Sequence, residues 1–227
     1  MGVSGFKIGS GECNNYPLIE FISKFKKPII LSTGMSTMNE IQSAISIFES
    51  EVILLHCTSE YPTSNENVNL NAMQTMREQT NKLIGFSDHT IGINVPLLAV
   101  KHGAVILEKH FTLNKEMEGP DHLVSASPSE LKDMISKIRT RKFPKDDVVI
   151  LGSGEKKPNQ NEIENAKLVR KSIVAITDIK VGDKFNPDNI GVRRPGEGLH
   201  PKFFHKFGGR IAKRYIIKDE YLRLEDL

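Results

Sequence analysis

The stretch Leu83-Ile-Gly-Phe-Ser-Asp-His-Thr90, followed by Val105-Ile-Leu-Glu-Lys-His-Phe-Thr112, decides the fold. Each run opens apolar, without alternation, and turns polar at its end. Such a run suits a strand buried on both faces, as in a parallel sheet. Toward the N-terminus the same pattern recurs at Val52-Ile-Leu-Leu55, Ile29-Ile-Leu31 and Phe6-Lys-Ile8. The five runs start at residues 6, 29, 52, 83 and 105, in steps of 23, 23, 31 and 22 residues. Between them lie helix signals. Thr37-Met-Asn-Glu40 is a capping box, with Ile41, Ala44, Ile45 and Phe48 on one face after it. Ser127-Pro-Ser-Glu130 is another, with proline at the first helical position and Leu131, Met134, Ile135 and Ile138 following. Strand alternating with helix at this spacing predicts repeated βα units of an α/β fold over residues 1–142.

Beyond residue 142 the pattern changes. Residues 143–170 are polar and rich in Gly, Pro, Asn and Lys, which predicts a linker carrying one helix near Asn161–Arg170. Residues 171–227 read as a small β-rich domain, with short strands at Ser172–Ile176, Ile190–Val192 and Tyr215–Ile217. That tail holds 12 basic and 8 acidic side chains, so the chain's mild basicity resides there.

Over 227 residues the formal charge is +3, 38% of residues are hydrophobic and 26% charged, ordinary values for a chain that buries a core. This balance offers no electrostatic case for nucleic acid or a membrane surface. No apolar run approaches the roughly 20 residues of a membrane-spanning helix, and the first residues lack the shape of a signal peptide. Two cysteines, Cys13 and Cys57, without CxxC spacing, fit free thiols in a reducing cytoplasm.

The polar residues follow directly on the strands. Lys7 and Ser10-Gly-Glu12 end the first and Ser32-Thr-Gly34 the second; His56-Cys-Thr-Ser59-Glu-Tyr61 ends the third. Ser87-Asp-His89-Thr90 and Glu108-Lys-His110 end the fourth and fifth. In a β/α barrel these ends converge on one mouth, where active sites lie, so the pattern argues for an enzyme. His89 and His110, 21 residues apart, form no local zinc motif; at adjacent strand ends, two imidazoles suit either a divalent metal or hydrogen-bonded strand-end roles. Lys7 with Ser10, Ser32 and Ser87 suits a phosphate or carboxylate ligand, or the hydroxyls cap the helices that follow. Glu12 reads as an acid/base, an acceptor for a sugar hydroxyl or a surface ion pair. Asp121 in Gly119-Pro-Asp-His122 reads as a ligand-binding group or an Asx turn. Cys57 reads as core, and Arg193-Arg-Pro-Gly196 as an exposed turn. No P-loop or dinucleotide-binding glycine pattern is present.

Six ordered motifs then carry a resemblance: Lys7-Ile-Gly-Ser-Gly-Glu12, Leu31-Ser-Thr-Gly-Met35, His56-Cys-Thr-Ser-Glu-Tyr-Pro62, Ser87-Asp-His-Thr90, Glu108-Lys-His-Phe-Thr112 and Gly119-Pro-Asp-His122. Together they resemble the sialic acid (N-acetylneuraminate) synthase family. The tail, from Arg170-Lys-Ser-Ile-Val through Val192-Arg-Arg-Pro-Gly-Glu-Gly198, resembles that family's antifreeze-like SAF domain, a β-clip. The resemblance implies a TIM barrel, here a partial one resembling strands 4–8. It also implies condensation of phosphoenolpyruvate with an N-acetylated amino sugar, by default N-acetylmannosamine, with Mn²⁺ or Mg²⁺ as cofactor and release of phosphate.

By the same resemblance His89 and His110 are metal ligands, while Lys7, Ser10, Ser32 and Ser87 contact phosphoenolpyruvate. Ser59 falls where some members carry Asn. Glu12, Tyr61 and Asp121 handle sugar or water, and Arg194 reaches into a partner's barrel in a domain-swapped homodimer. Against eight strands, about 90–100 residues are absent, so the chain is expected to be an N-terminally truncated, split or mis-started form. The alternatives are a legionaminate-type synthase and a non-catalytic remnant whose SAF domain binds carbohydrate or a partner.

Overall fold

A computed structural model describes residues 2–226. Five strands form one parallel sheet in sequential order: β1 (Phe6–Ile8), β2 (Ile29–Ser32), β3 (Val52–Cys57), β4 (Leu83–Asp88) and β5 (Leu107–Lys109). Helices α1 (Tyr16–Ser23), α2 (Met38–Ile45), α3 (Asn65–Val68), α4 (Ala72–Thr80), α5 (Asn94–Lys101) and α6 (Pro128–Arg139) lie between or after the strands. The anticipated capping boxes form at Thr37/Glu40 and Ser127/Glu130. Ile8, Ile29, Leu31, Leu54, Ile84 and Phe86 pack with Ile19, Ile41, Met73, Met76 and Leu98 in one core.

The sheet is a curled half-barrel. Strands lie about 4.8 Å apart, so β1 and β5 would be roughly 19 Å apart if it were flat. Instead Lys7 Nζ on β1 lies 3.2 Å from Glu108 Oε2 on β5. The fifth strand starts two residues later than its apolar run. Val105 is exposed, its amide already donates to the Ile84 carbonyl at 3.0 Å, and the regular ladder with β4 begins at Phe86–Leu107.

Residues 143–170, polar enough to read as a linker, form α7 (Val148–Leu151) and α8 (Gln160–Val169) and pack against the barrel. The amides of Leu70 and Asn71 donate to the carbonyls of Ile150 and Leu151 at 3.0 and 2.9 Å. Asn159 and Glu162 form a third capping box at the start of α8.

The small unit pairs β6 (Ser172–Ala175) antiparallel with β7 (Ile190–Arg193) and carries α9 (Phe204–Phe207). Its own core holds Ile173, Ile179, Ile190, Ala212, Ile216 and Leu222 around Phe185 and Phe207, whose rings meet edge to face at 5.2 Å. The expected strand Tyr215–Ile217 reduces to one antiparallel bridge between Ile179 and Ile216. Tyr215 and Ile217 are exposed on either side of it, so a single residue faces the core and no ladder extends. Lys171–Glu12 and Arg170–Glu40, both at 2.6 Å, tie the junction with this unit to the barrel.

Candidate active site

Side chains alternate along a strand, so of each polar strand end one set faces the barrel interior and the other faces out. On β4 and β5 and just beyond, Ser87, His89, Glu108 and His110 line a cavity of about 420 Å³. Asp88 and Lys109 pair behind them at 2.5 Å, and Asp88 also accepts from the Thr90 amide and hydroxyl. Asp88 is therefore a buried structural carboxylate, and Glu108 is the carboxylate of the cavity. Lys7, Ser10, Ser32, Ser59 and Tyr61, all expected, also line the wall, joined by the buried Cys57, which was expected in the core.

These groups are tied together. Glu108 receives the Ser87 hydroxyl at 2.7 Å on Oε1 and faces Lys7 with Oε2. Ser10 Oγ accepts from the Gly34 amide at 2.9 Å. Gly34 is required there, since a Cβ would stand 2.2 Å from Ser59 Oγ and 2.9 Å from Ser10 Oγ. Ser32 lines the cavity, and its buried Oγ has no hydrogen-bond partner within the protein, so it has donor and acceptor capacity to spare. Burial pushes the Tyr61 phenol well above its ordinary range, with the nearby Cys57, Asp121 and Glu108 adding to the shift, so its hydroxyl keeps its proton.

Tyr61 stacks 4.0 Å from the His89 ring, and the rings of His89 and His110 are 5.5 Å apart. His89 Nδ1 lies 2.8 Å from the Thr58 carbonyl. That bond places a proton on Nδ1 and leaves Nε2 as a free lone pair, the orientation found in metal-binding imidazoles. Among the described residues no group of three or more His, Cys, Asp and Glu is arranged to hold a metal. With Nε2 of His89 free and the two rings 5.5 Å apart, His89 and His110 are the imidazoles that fit an ion, other positions being left to water or substrate.

Two expected residues stand apart from the cavity wall. Glu12, at the end of the short 3-10 turn Ser10–Glu12, turns to Lys171 (2.6 Å) and Asn15 (2.8 Å). Asp121 sits beyond the wall, its Oδ2 3.9 Å from His110 Nδ1. Arg194, expected to reach a partner's barrel, lines the cavity of its own chain, because the small unit is seated on the mouth beside it. Met35, Asn165 and Val169 also line the wall and were not expected there. Asn165 and Val169 belong to α8, whose capping box was the available signal.

Residues 1–147 match the NeuB family and residues 170–227 the SAF domain. The chain is 42% identical to the N,N'-diacetyllegionaminic acid synthase of Campylobacter jejuni, over 98% of this chain and 67% of that protein. Among solved structures, the spore coat polysaccharide biosynthesis protein spsE of Bacillus subtilis aligns over 98% of this chain and 67% of its own. Its TM-score is 0.90 at 32% identity. The N-acetylneuraminic acid synthetase of Leptospira borgpetersenii, 40% identical, aligns over 72% of this chain and 56% of its own with a TM-score of 0.60. A score of 0.90 over nearly the whole chain means that the placement of the small unit on the barrel is shared with spsE.

Proposed function

The chain belongs to the NeuB family, a family of C–C bond-forming acid synthases, and on that premise we propose that it condenses phosphoenolpyruvate with an open-chain N-acetylated amino sugar. The observation that carries this reading is the cavity itself. It joins two cations (Lys7 and Arg194), several serine hydroxyls and two adjacent imidazoles at the C-terminal ends of parallel strands. The cations and hydroxyls suit an anion with both a phosphate and a carboxylate; the imidazoles suit a metal.

In the proposed reaction the enol carbon of phosphoenolpyruvate bonds to the sugar aldehyde carbon. Water adds to the oxocarbenium carbon so formed, and phosphate leaves with cleavage of its C–O bond, giving a nonulosonic acid. His89 and His110 would hold Mn²⁺ or Mg²⁺, which supplies Lewis acidity toward the aldehyde oxygen. Lys7 and Arg194 bind the anionic substrate, and Ser10, Ser32, Ser59 and Ser87 orient it. Tyr61 keeps a proton at Oη beside the imidazoles and offers it as a hydrogen bond. Asp121, 3.9 Å from His110 at the rim, handles sugar or water there. Glu12, occupied by Lys171 and Asn15, serves the junction between the two units.

The chain spans about two thirds of the length of its Campylobacter relative. The identity to that synthase supports a diacetylated amino sugar beside N-acetylmannosamine as acceptor. Comparing condensation with the two sugars in the presence of Mn²⁺ tests the reading: turnover with one of them is expected, and turnover with neither contradicts it. Among the described residues no helix is long and apolar enough to cross a membrane; a cytoplasmic setting and pairing of two copies remain part of the proposal.

A further inference from the structure

Met35 lines the cavity in a conformation that side chains other than glycine adopt with strain, φ +60°. It is gripped at both ends from the polar segment around α8. Its amide donates to Glu162 Oε1 at 2.7 Å, and its carbonyl accepts from the Arg170 guanidinium at 2.5 Å. The same Glu162 oxygen accepts from the Ser59 amide at 2.9 Å, while Asn165 Nδ2 donates to the Ser59 carbonyl at 2.8 Å. Two loops of the cavity wall, after β2 and after β3, are therefore joined through one atom. Glu162 is almost wholly buried. Its other oxygen completes the α8 capping box with the Asn159 amide, which is all that a helix cap requires. The additional reach of Oε1 into the barrel has no role in capping.

We propose that Glu162 is a positioning residue of the active site: one carboxylate oxygen fixes Met35 and Ser59, and with them the wall that carries Ser10, Ser32 and Ser59. The coupling runs further because Gly34, between Ser32 and Met35, leaves no spare room against Ser59 and Ser10. A shift of Ser59 or Met35 is transmitted directly to the hydroxyls. This inference rests on the proposed reading of the cavity for its consequence, which is graded: the phosphoenolpyruvate end of the site is held directly by the clamp at Met35 and Ser59, and Tyr61 and His89 feel it only through the rest of the loop that carries Ser59.

Residue-resolved amide hydrogen exchange and steady-state kinetics on the full chain and its Glu162→Ala and Glu162→Gln variants test it. Glu162→Ala should speed exchange at the Met35 and Ser59 amides about tenfold or more, the loss of two charge-assisted hydrogen bonds. It should raise KM for phosphoenolpyruvate by about tenfold and leave KM for the sugar within about twofold. Glu162→Gln keeps an acceptor at the same place and should restore most of both. Should Glu162→Ala not fold, Glu162→Asp, one methylene too short to reach both amides, is read the same way. Unchanged exchange at Met35 and Ser59, equal effects on both KM values, or Glu162→Gln as damaging as Glu162→Ala would each overturn the inference. If the unaltered protein turns over no phosphoenolpyruvate, the functional reading fails, and the exchange data still decide whether the clamp exists.

Discussion

Lys7 Nζ stands 3.2 Å from Glu108 Oε2, a contact between the first and last strands of the sheet. Both side chains are partly exposed to the cavity, so the pair itself contributes at most about 1 kcal/mol to stability. Its value lies in holding a cation ready beside hydroxyls. Lys7→Ala is expected to leave the unfolding free energy nearly unchanged and to weaken phosphoenolpyruvate binding by about tenfold or more, read by calorimetric titration.

Ser32 gives the complementary separation. Its buried hydroxyl has no protein partner, so Ser32→Ala removes no hydrogen bond from the fold. Denaturant unfolding should shift by less than about 0.5 kcal/mol. Phosphoenolpyruvate affinity should fall roughly three- to tenfold, the worth of one hydrogen bond. A large loss of stability with unchanged affinity would place Ser32 in the core rather than the site.

His56 predicts a pH dependence. It is buried, with Nε2 2.8 Å from the Val68 carbonyl and Nδ1 without a partner. Burial, aided by the Lys156 charge nearby, depresses its pKa from 6.5 to about 3. The folded state therefore resists protonation that the unfolded state accepts. Stability is fully present above pH 6.5 and falls as the pH is lowered toward 3, by about 1.4 kcal/mol per pH unit from this group. Unfolding free energies between about pH 5.5 and 4 should show this slope, and His56→Gln should flatten it by one proton.

Arg194 makes a prediction about assembly. It lines the cavity of its own chain, a placement of the small unit shared with spsE. Mixing Lys7→Ala protein with Arg194→Ala protein should then restore no activity, since no cavity regains both cations. Recovery to a substantial fraction of the unaltered rate would show that Arg194 crosses to a partner.

Much of this site was legible in the sequence. The unbroken apolar runs gave the parallel strands, and period-two alternation separates Ser87 and His89 from Asp88, and Glu108 and His110 from Lys109. Two features depend on distance in the fold. Glu108 meets Lys7 because the sheet curls, which no local pattern encodes. Glu162 reads locally as the end of a capping box; its second oxygen serves Met35 and Ser59, more than 100 residues away. The polar composition of its segment suits a linker equally well, because polar groups that satisfy a barrel mouth resemble polar groups that face water. Glu12 follows a related rule: of the roles open to it in the sequence, the short turn after β1 favours the ion pair, directing its carboxylate to Lys171 beyond the barrel.

The proposed condensation is checked by following phosphate release and nonulosonic acid formation together, with phosphoenolpyruvate, an N-acetylated amino sugar and Mn²⁺. One phosphate per acid formed is expected, with loss of both on metal chelation and loss of Mn²⁺ binding in His89→Ala and His110→Ala. Phosphate release without condensation, or condensation indifferent to chelation and to both histidines, would contradict it.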